Sequence, residues 1–149
     1  MYHYRFDEFI PDIDRFVTRM GSYRPDAIVA IARGGVTLGH FLAEKLNQRN
    51  LYTLNSIHYD DTIRLEDIRL HNIPDLSDAE SVLVVDDIVD SGDTMQAVIA
   101  TLQERYPDTT FKTGALFYKE DARFQPDFKV RRAEEWIRFF WNLDAQGER

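Results

Sequence analysis

Three carboxylates stand just ahead of a small, hydroxyl-rich loop in the middle of the chain. The carboxylates are those of Asp86, Asp87 and Asp90, and the loop consists of Ser91, Gly92, Asp93 and Thr94. Carboxylates bind sugar hydroxyls or a divalent cation, whereas the free amides and positive dipole at a helix start bind phosphate. Both kinds of group within one short segment predict a site for a phosphorylated sugar.

The residues on either side indicate which elements position this segment. Residues 82–85 are apolar without polar alternation, which is typical of a strand covered on both faces of a parallel sheet. Open α/β sheets bind ligands at the carboxyl ends of such strands, where Asp86 and Asp87 follow. Met95, Val98 and Leu102 then recur at helical spacing, so a helix is predicted to begin near Thr94. Gly92 allows the tight turn between the two elements.

A simpler interpretation is that the acids mark a strand end and the loop is an ordinary helix cap, which is a common arrangement. The acidic pair and the loop at this spacing together favour a binding site. Neither the P-loop pattern nor the dinucleotide glycine fingerprint occurs in the chain.

The segment from Asp86 to Thr94 resembles the phosphoribosyl-pyrophosphate motif of type I phosphoribosyltransferases. The resemblance implies that Asp86 and Asp87 bind the ribose hydroxyls, with Asp87 the contact to Mg²⁺. It implies that Asp90 belongs to the phosphoribosyl-pyrophosphate-binding residues and is also the general acid/base at purine N7. The 5'-phosphate would be held by four residues, Ser91, Gly92, Asp93 and Thr94.

A second apolar stretch, residues 27–32, ends in Arg33-Gly34-Gly35. A guanidinium and exposed amides are good ligands for pyrophosphate, although this sequence before a helix is by itself a weak signal. Beside the first motif it resembles the family's pyrophosphate loop, which makes Arg33 and Gly34 the expected contacts. The resemblance also implies a cis peptide at Arg33-Gly34.

Residues 119–142 are the expected base-binding tail. A lysine at a strand end is usually a solvated charge, and a tryptophan is usually core. In 6-oxopurine members of the family, however, a lysine at the position of Lys119 binds the purine oxygen. An aromatic residue, here Trp136, stacks on the ring, and the main chain of the next residue, here Ile137, contacts the exocyclic group. Trp136-Ile137 followed by Trp141 resembles the tail of bacterial xanthine-guanine phosphoribosyltransferases.

Three positions depart from that pattern. Phe140 replaces the usual proline and Asn142 the usual acid, which leaves the base preference open. Asp93 adds a carboxylate to the phosphate loop, and we expect it to point to solvent because a carboxylate facing phosphate would weaken binding.

The remaining periodicities predict an α/β fold. Helical spacing covers residues 6–20 with a kink or restart at Pro11, and strands are predicted at 27–32, 51–57 and 111–118. Alternation of strands and helices implies a mainly parallel twisted sheet flanked by helices, the type I phosphoribosyltransferase fold. The polar stretch at about 58–72 shows no obvious element and is the expected mobile hood, with Arg64 or Arg69 reaching the leaving group. His58 and His71, at its ends, have only a small chance of touching substrate. Residues 1–149 are expected to form one domain.

Composition restricts the functional class. A net charge of −8 is unfavourable for nucleic-acid binding, and no apolar run reaches the length of a membrane span. The absence of cysteine excludes thiol catalysis and is compatible with a reducing compartment, so a cytoplasmic protein is expected. Related enzymes are homodimers or homotetramers, and the resemblance implies the same here.

The function that these observations predict is transfer of phosphoribose from 5-phosphoribosyl 1-pyrophosphate to guanine or xanthine, with hypoxanthine a third candidate. The product would be a nucleoside 5'-monophosphate for purine salvage. One alternative is a regulator that senses phosphoribosyl pyrophosphate without transferase activity, although the acidic chain leaves no room for a nucleic-acid-binding face. A receiver-like phosphoacceptor is the other, although it would have no use for a phosphate loop.

Overall fold

The computed structural model describes residues 1–58 and 67–146. In chain order the elements are β1 (Tyr2–Tyr4), α1 (Phe6–Met20), β2 (Ala27–Ala32), α2 (Val36–Leu46), β3 (Leu51–His58), β4 (Ile68–His71), β5 (Ser81–Val89), α3 (Asp93–Arg105), β6 (Thr110–Tyr118), β7 (Phe128–Arg132) and β8 (Ile137–Phe139). Within this part of the chain, no helix is both long and apolar enough to cross a membrane.

The main sheet has six strands in the order β4-β3-β2-β5-β6-β7. Every neighbouring pair is parallel except β3 and β4, so the predicted mainly parallel α/β fold is confirmed. β1 and β8 form a separate parallel pair that brings the start of the chain to the base-binding tail.

Both faces of the sheet are covered, which explains the unbroken apolar stretches in the sequence. On β5, Leu83 and Val85 pack with residues of α1 and α2, whereas Val82 and Val84 pack with α3 on the opposite face. Alternate residues of a strand point to opposite faces, so a strand at the centre of the sheet needs apolar side chains throughout.

Of the two effects expected at Pro11, a kink or a restart, the restart does not occur. One helix runs through Phe6–Met20 with Pro11 inside it. Proline removes one backbone hydrogen bond, but its cost is offset because Phe9, Ile13 and Phe16 bury one face of the helix in the core.

The stretch at about 58–72 is not wholly without regular structure. β4 pairs antiparallel with β3, and Ile68 is buried. Its apolar side chain gives this edge strand a place on the sheet despite the charged neighbours in sequence. Residues 59–66, including Arg64, lie outside the described residues, so the expected contact from Arg64 stays a prediction.

Candidate active site

A cleft of about 1080 Å³ opens at the carboxyl ends of the central strands. Three segments line it: residues 86–92 with Thr94 and Met95, residues 119–121, and residues 132–137 with Phe139 and Asn142. The acidic motif, the strand-end lysine and the Trp136-Ile137 tail are far apart in sequence, but all of them line this cleft. Arg33 and Gly34 are not among the residues that line this cleft.

The acidic pair belongs to β5 itself, because the strand continues past residues 82–85 as far as Val89. The Asp87 amide donates to Asp86 Oδ1 at 2.9 Å, and the Ile88 amide donates to Asp87 Oδ1 at 2.7 Å. Burial raises the pKa of Asp86 well above its usual range, and the charge of Asp87 raises it further. Burial also raises the pKa of Asp87. Two adjacent, poorly solvated carboxyl groups attract a cation or hydroxyl donors strongly.

Gly34 lies directly against this pair. A Cβ at Gly34 would lie 2.4 Å from Asp87 Oδ2, so any side chain there would force the Asp87 carboxylate to move. The arginine-glycine loop is thereby packed against the acidic motif. A cis peptide bond lies at Ala32-Arg33, one bond before the Arg33-Gly34 position expected from the resemblance, so that expectation is wrong.

The loop after β5 turns at Gly92, whose φ of 93° lies in the left-handed region, and α3 begins at the next residue. The amide of Asp93 donates to Ser91 Oγ at 3.2 Å. Thr94 lines the cleft, and its hydroxyl lies 3.4 Å from His58 Nε2. The start of a thirteen-residue helix, with its free amides, therefore faces the cleft beside two hydroxyl side chains.

Asp93 does not point to solvent, contrary to our expectation. It is only 6% exposed and does not line the cleft, and its Oδ1 accepts a hydrogen bond from Arg123 at 2.7 Å. This ion pair raises the pKa of Arg123. The carboxylate is turned behind the loop and neutralised, so it does not confront an anion in the cleft.

Lys119 and Asp90 form an ion pair across the cleft wall, with 2.9 Å between Lys119 Nζ and Asp90 Oδ1. Both side chains remain about half exposed. The backbone amide of Lys119 also donates to the Val89 carbonyl at 2.9 Å, which fixes its strand end beside the acidic loop. The hydrogen bond and charge of Asp90 raise the pKa of Lys119, so this amine stays protonated at neutral pH.

Trp136 and Ile137 have different surroundings. The Trp136 side chain is 75% exposed at the cleft, whereas Ile137 is buried in β8. β1 supports this pair, because Tyr2 lies opposite Ile137 in the parallel register and the Tyr2 amide donates to the Trp136 carbonyl at 2.8 Å. A largely exposed indole is thus held at the cleft by a backbone that is hydrogen-bonded to β1.

The two departures in the tail have structural roles of their own. Phe140 contacts the rings of Phe6 and Phe9. Asn142 closes the turn after β8. Its side-chain Oδ1 accepts a hydrogen bond from the Phe139 backbone amide at 2.9 Å, and its own backbone amide donates to the Phe139 carbonyl at 2.9 Å. Trp141 stacks on Phe139 with 4.7 Å between ring centroids and is partly buried against the core.

Arg123 and His58 were missed as site residues from the sequence. Arg123 lies 30 residues from its partner Asp93, and no local pattern links the two. His58 reaches Thr94 only because the end of β3 lies near the start of α3. Its place at the border of the hood was the one available signal.

Comparison with known proteins agrees with the geometry. Residues 13–147 match the family model described as the phosphoribosyl transferase domain. A xanthine-guanine phosphoribosyltransferase from Idiomarina loihiensis is 32% identical over 119 residues, which are 78% of this chain and 70% of that protein.

Solved structures extend this similarity to the fold. The Helicobacter pylori xanthine-guanine-hypoxanthine phosphoribosyltransferase is 39% identical, with a TM-score of 0.87 over 94% of this chain and 92% of the other. A purine phosphoribosyltransferase from Pyrococcus horikoshii is 27% identical, with a TM-score of 0.83 over 99% and 97% of the two chains. The family match and these relatives establish that the chain belongs to the phosphoribosyltransferase family, in agreement with a cleft that is lined by the acidic motif, Lys119 and the Trp136-Ile137 tail.

Proposed function

We propose that this protein transfers phosphoribose from 5-phosphoribosyl 1-pyrophosphate to N9 of a 6-oxopurine, in purine salvage. The products are the nucleoside 5'-monophosphate and pyrophosphate. Guanine and xanthine are the proposed main acceptors, with hypoxanthine the third, in agreement with the names of the relatives from Idiomarina loihiensis and Helicobacter pylori.

The Lys119–Asp90 pair is the observation that carries the choice of acceptor. One edge of a 6-oxopurine holds an oxygen acceptor at C6 beside an N7–H donor. A protonated lysine and a carboxylate 2.9 Å apart offer the complementary donor and acceptor. The base exchanges the contact between the two side chains for one contact with each of them. Adenine presents an amino donor to the lysine instead, so the site discriminates against it.

The other base contacts come from the tail. The exposed Trp136 ring stacks on the purine, and the main chain of Ile137 binds the exocyclic substituent. Because the Trp136 carbonyl already accepts the Tyr2 amide, the recognition edge stays fixed when the base leaves.

The donor substrate occupies the acidic end of the cleft. Ser91, Gly92, Asp93 and Thr94 bind the 5'-phosphate through amides and hydroxyls, with Asp93 contributing only its amide. Asp86 and Asp87 bind the ribose hydroxyls, and Arg33 and Gly34 bind the pyrophosphate.

The raised pKa values of the acidic pair fit a divalent cation, because a positive charge would relieve the repulsion between two poorly solvated carboxyl groups. In the described part of the chain no three acidic or histidine side chains converge on one metal position. This suits Mg²⁺, which keeps water ligands and shares substrate oxygens; Asp87 would hold it, and it would neutralise charge on the leaving pyrophosphate.

In the reaction the bond from C1 of the ribose to the pyrophosphate oxygen breaks, and pyrophosphate leaves with the electron pair. Purine N9 forms the new bond to C1 while Asp90 accepts the N7 proton. Lys119 stabilises negative charge on the purine oxygen, and the amides of residues 91–94 hold the ribose phosphate in line with the base.

The remaining assignments concern the whole chain. Residues 1–149 would act as one catalytic domain, with a hood at about 58–72 that closes to exclude water and a base-binding tail at about 119–142. Arg69 or Arg64 would reach the leaving group from the hood. We propose that the protein is cytoplasmic, since its proposed substrates are cytoplasmic metabolites. We propose a homodimer or homotetramer because related enzymes assemble in this way.

The test is pyrophosphate release from 5-phosphoribosyl 1-pyrophosphate with Mg²⁺ and guanine, xanthine, hypoxanthine or adenine in turn. Turnover with 6-oxopurines and none with adenine is expected. Tight binding of the donor without turnover of any base would replace this proposal with the regulatory alternative.

A further inference from the structure

The ion pair between the buried carboxylate of Asp93 and the exposed guanidinium of Arg123 takes no part in the proposed reaction, although Asp93 belongs to the loop that holds the 5'-phosphate. The Asp93 side chain is 9% exposed, whereas that of its partner Arg123 is 69% exposed. An exposed salt bridge contributes little to stability, but a carboxylate that loses its partner while buried is costly. The two residues are therefore not equivalent. Removing Arg123 leaves the buried negative charge of Asp93 without a partner, whereas removing Asp93 leaves only an arginine that is already solvated.

The position of that charge gives it a consequence for binding. Asp93 is the first residue of α3, the helix whose free amides face the cleft. An unpaired negative charge there would offset the positive potential that the helix start offers to an anion, and it would repel a phosphate bound at the loop. Arg123, which does not line the cleft, cancels this charge.

The segment around Arg123 holds the same loop through its backbone. The Arg123 amide donates to the Ser91 carbonyl at 2.9 Å, and Phe124 packs so closely on Gly92 that a Cβ there would lie 2.7 Å from the Phe124 amide nitrogen. This segment also follows directly on the base-binding lysine, since the Ala122 amide donates to the Lys119 carbonyl at 3.1 Å. One short turn thus connects the base subsite to the phosphate subsite.

We propose that Arg123 is a positioning residue for the 5'-phosphate site, which acts by neutralising the buried carboxylate of Asp93. The inference rests on the proposed function, because it takes the loop at residues 91–94 as the phosphate site. It also accounts for an aspartate in this loop, which the sequence alone leaves unexplained.

The test is a double-mutant cycle with Arg123→Gln, Asp93→Asn and the double variant, and with Arg105→Gln as a matched loss of charge at the far end of α3. Calorimetry measures the affinity of each protein for ribose 5-phosphate, for pyrophosphate and for 5-phosphoribosyl 1-pyrophosphate with Mg²⁺. Steady-state kinetics with guanine gives kcat and KM. Because Arg123 is exposed, its variant should fold, which thermal melting checks.

Arg123→Gln is expected to weaken ribose 5-phosphate and phosphoribosyl-pyrophosphate binding by on the order of tenfold. Pyrophosphate affinity should be unchanged, and KM for the donor should rise with little change in kcat. In the Asp93→Asn background the same change should have no effect, because no charge is left to neutralise. Arg123→Lys, which keeps the charge, should retain most of the affinity, and Arg105→Gln should match wild type.

Equal losses from Arg123→Gln in both backgrounds would contradict neutralisation, as would no loss in either. A drop in kcat alone, or a similar loss of pyrophosphate binding, would also overturn the proposal. The affinity measurements do not require turnover, so they decide the role of Arg123 even if no purine is a substrate.

Discussion

At the scale of single residues, the proposed site holds opposite charges side by side, where one edge of a substrate could bind both. Lys119 and Asp90 are paired to each other before any ligand binds, so neither charge is stranded when the cleft is empty. The same logic holds behind the phosphate loop, where Arg123 offsets Asp93. In an acidic protein that binds an anionic donor, such local pairing matters more than net charge.

Asp90→Asn should reduce kcat by about 10²- to 10⁴-fold, because the amide cannot accept the N7 proton. Donor affinity should stay near the wild-type value, since Asp90 is assigned to proton transfer rather than to phosphate binding. Steady-state kinetics and calorimetry with 5-phosphoribosyl 1-pyrophosphate separate the two effects.

Asp108→Asn, an exposed and remote substitution, is the control for that experiment. Proportionate losses in kcat and in donor affinity would refute a specific proton-transfer role for Asp90.

Gly34→Ala tests the contact between the arginine-glycine loop and the acidic pair. The added methyl would lie 2.4 Å from Asp87 Oδ2, so the carboxylate must move. Displacement of a substrate-positioning group by about 1 Å can cost on the order of 100-fold in rate. We expect weaker donor binding in the presence of Mg²⁺ and lower kcat/KM, measured by calorimetry and pyrophosphate release.

Gly21→Ala provides the contrast, because Gly21 has a φ of 58° and no atom within 4 Å of an added Cβ. It should lower the free energy of unfolding by about 1 kcal/mol through backbone strain and leave kcat/KM unchanged. If Gly34→Ala had full activity, the close packing against Asp87 would have no functional role.

At the scale of elements, a buried aspartate joins the start of the chain to the base-binding region. Asp12 of α1 is fully buried and accepts hydrogen bonds from the Tyr4 hydroxyl at 2.6 Å, Arg131 Nε at 2.6 Å and an Arg15 guanidinium nitrogen at 2.7 Å. These contacts tie α1, β1 and β7 together. Since β1 pairs with β8, the same cluster supports the backbone of Trp136 and Ile137.

Asp12→Asn should lower the free energy of unfolding by about 1–3 kcal/mol, because the hydrogen bonds from Tyr4 and Arg131 to a buried carboxylate weaken and Arg131 is left with the more distant Glu8, at 4.0 Å. Urea unfolding at neutral pH measures the change. Asp14→Asn, which removes an exposed partner of Lys45, is the control and should cost less than about 1 kcal/mol. Equal values for the two variants would show that the Asp12 cluster is not a structural anchor.

The sequence predicted the long, regular elements and missed the short ones. The central strands and α3 were placed within a few residues because their apolar patterns are long enough to read. β1 and β8 have three residues each and exist through their pairing with one another, which no local pattern encodes. The predicted orientation of Asp93 was wrong for the same reason, since its actual orientation depends on Arg123, which lies 30 residues away in sequence.

At the scale of the whole molecule, the acidic pair lowers the stability of the ligand-free protein, and we propose that the same two groups bind the ribose. Asp86 and Asp87 are buried enough for both pKa values to be raised, so their ionisation opposes folding in the ligand-free protein. Below the ordinary aspartate range both the folded and unfolded chains are protonated, and there is no effect. Above it the unfolded chain releases protons that the folded chain retains, so stability falls as pH rises toward the raised pKa values.

Asp86→Asn should therefore stabilise the ligand-free protein while impairing catalysis. At neutral pH its Tm is expected to exceed that of wild type by a few degrees, and the difference should vanish as the pH falls below about 3, where Asp86 is protonated in the unfolded as well as the folded chain. Thermal unfolding from acid to neutral pH checks the trend, with Asp78→Asn, an exposed substitution, as the control. Because a ligand that binds only the folded state offsets the cost, 5-phosphoribosyl 1-pyrophosphate with Mg²⁺ should raise Tm more in wild type than in Asp86→Asn. If the variant were less stable than wild type at every pH, the prediction would be wrong. Asp86 would then stabilise the fold through its hydrogen bonds, and its ionisation would not oppose folding.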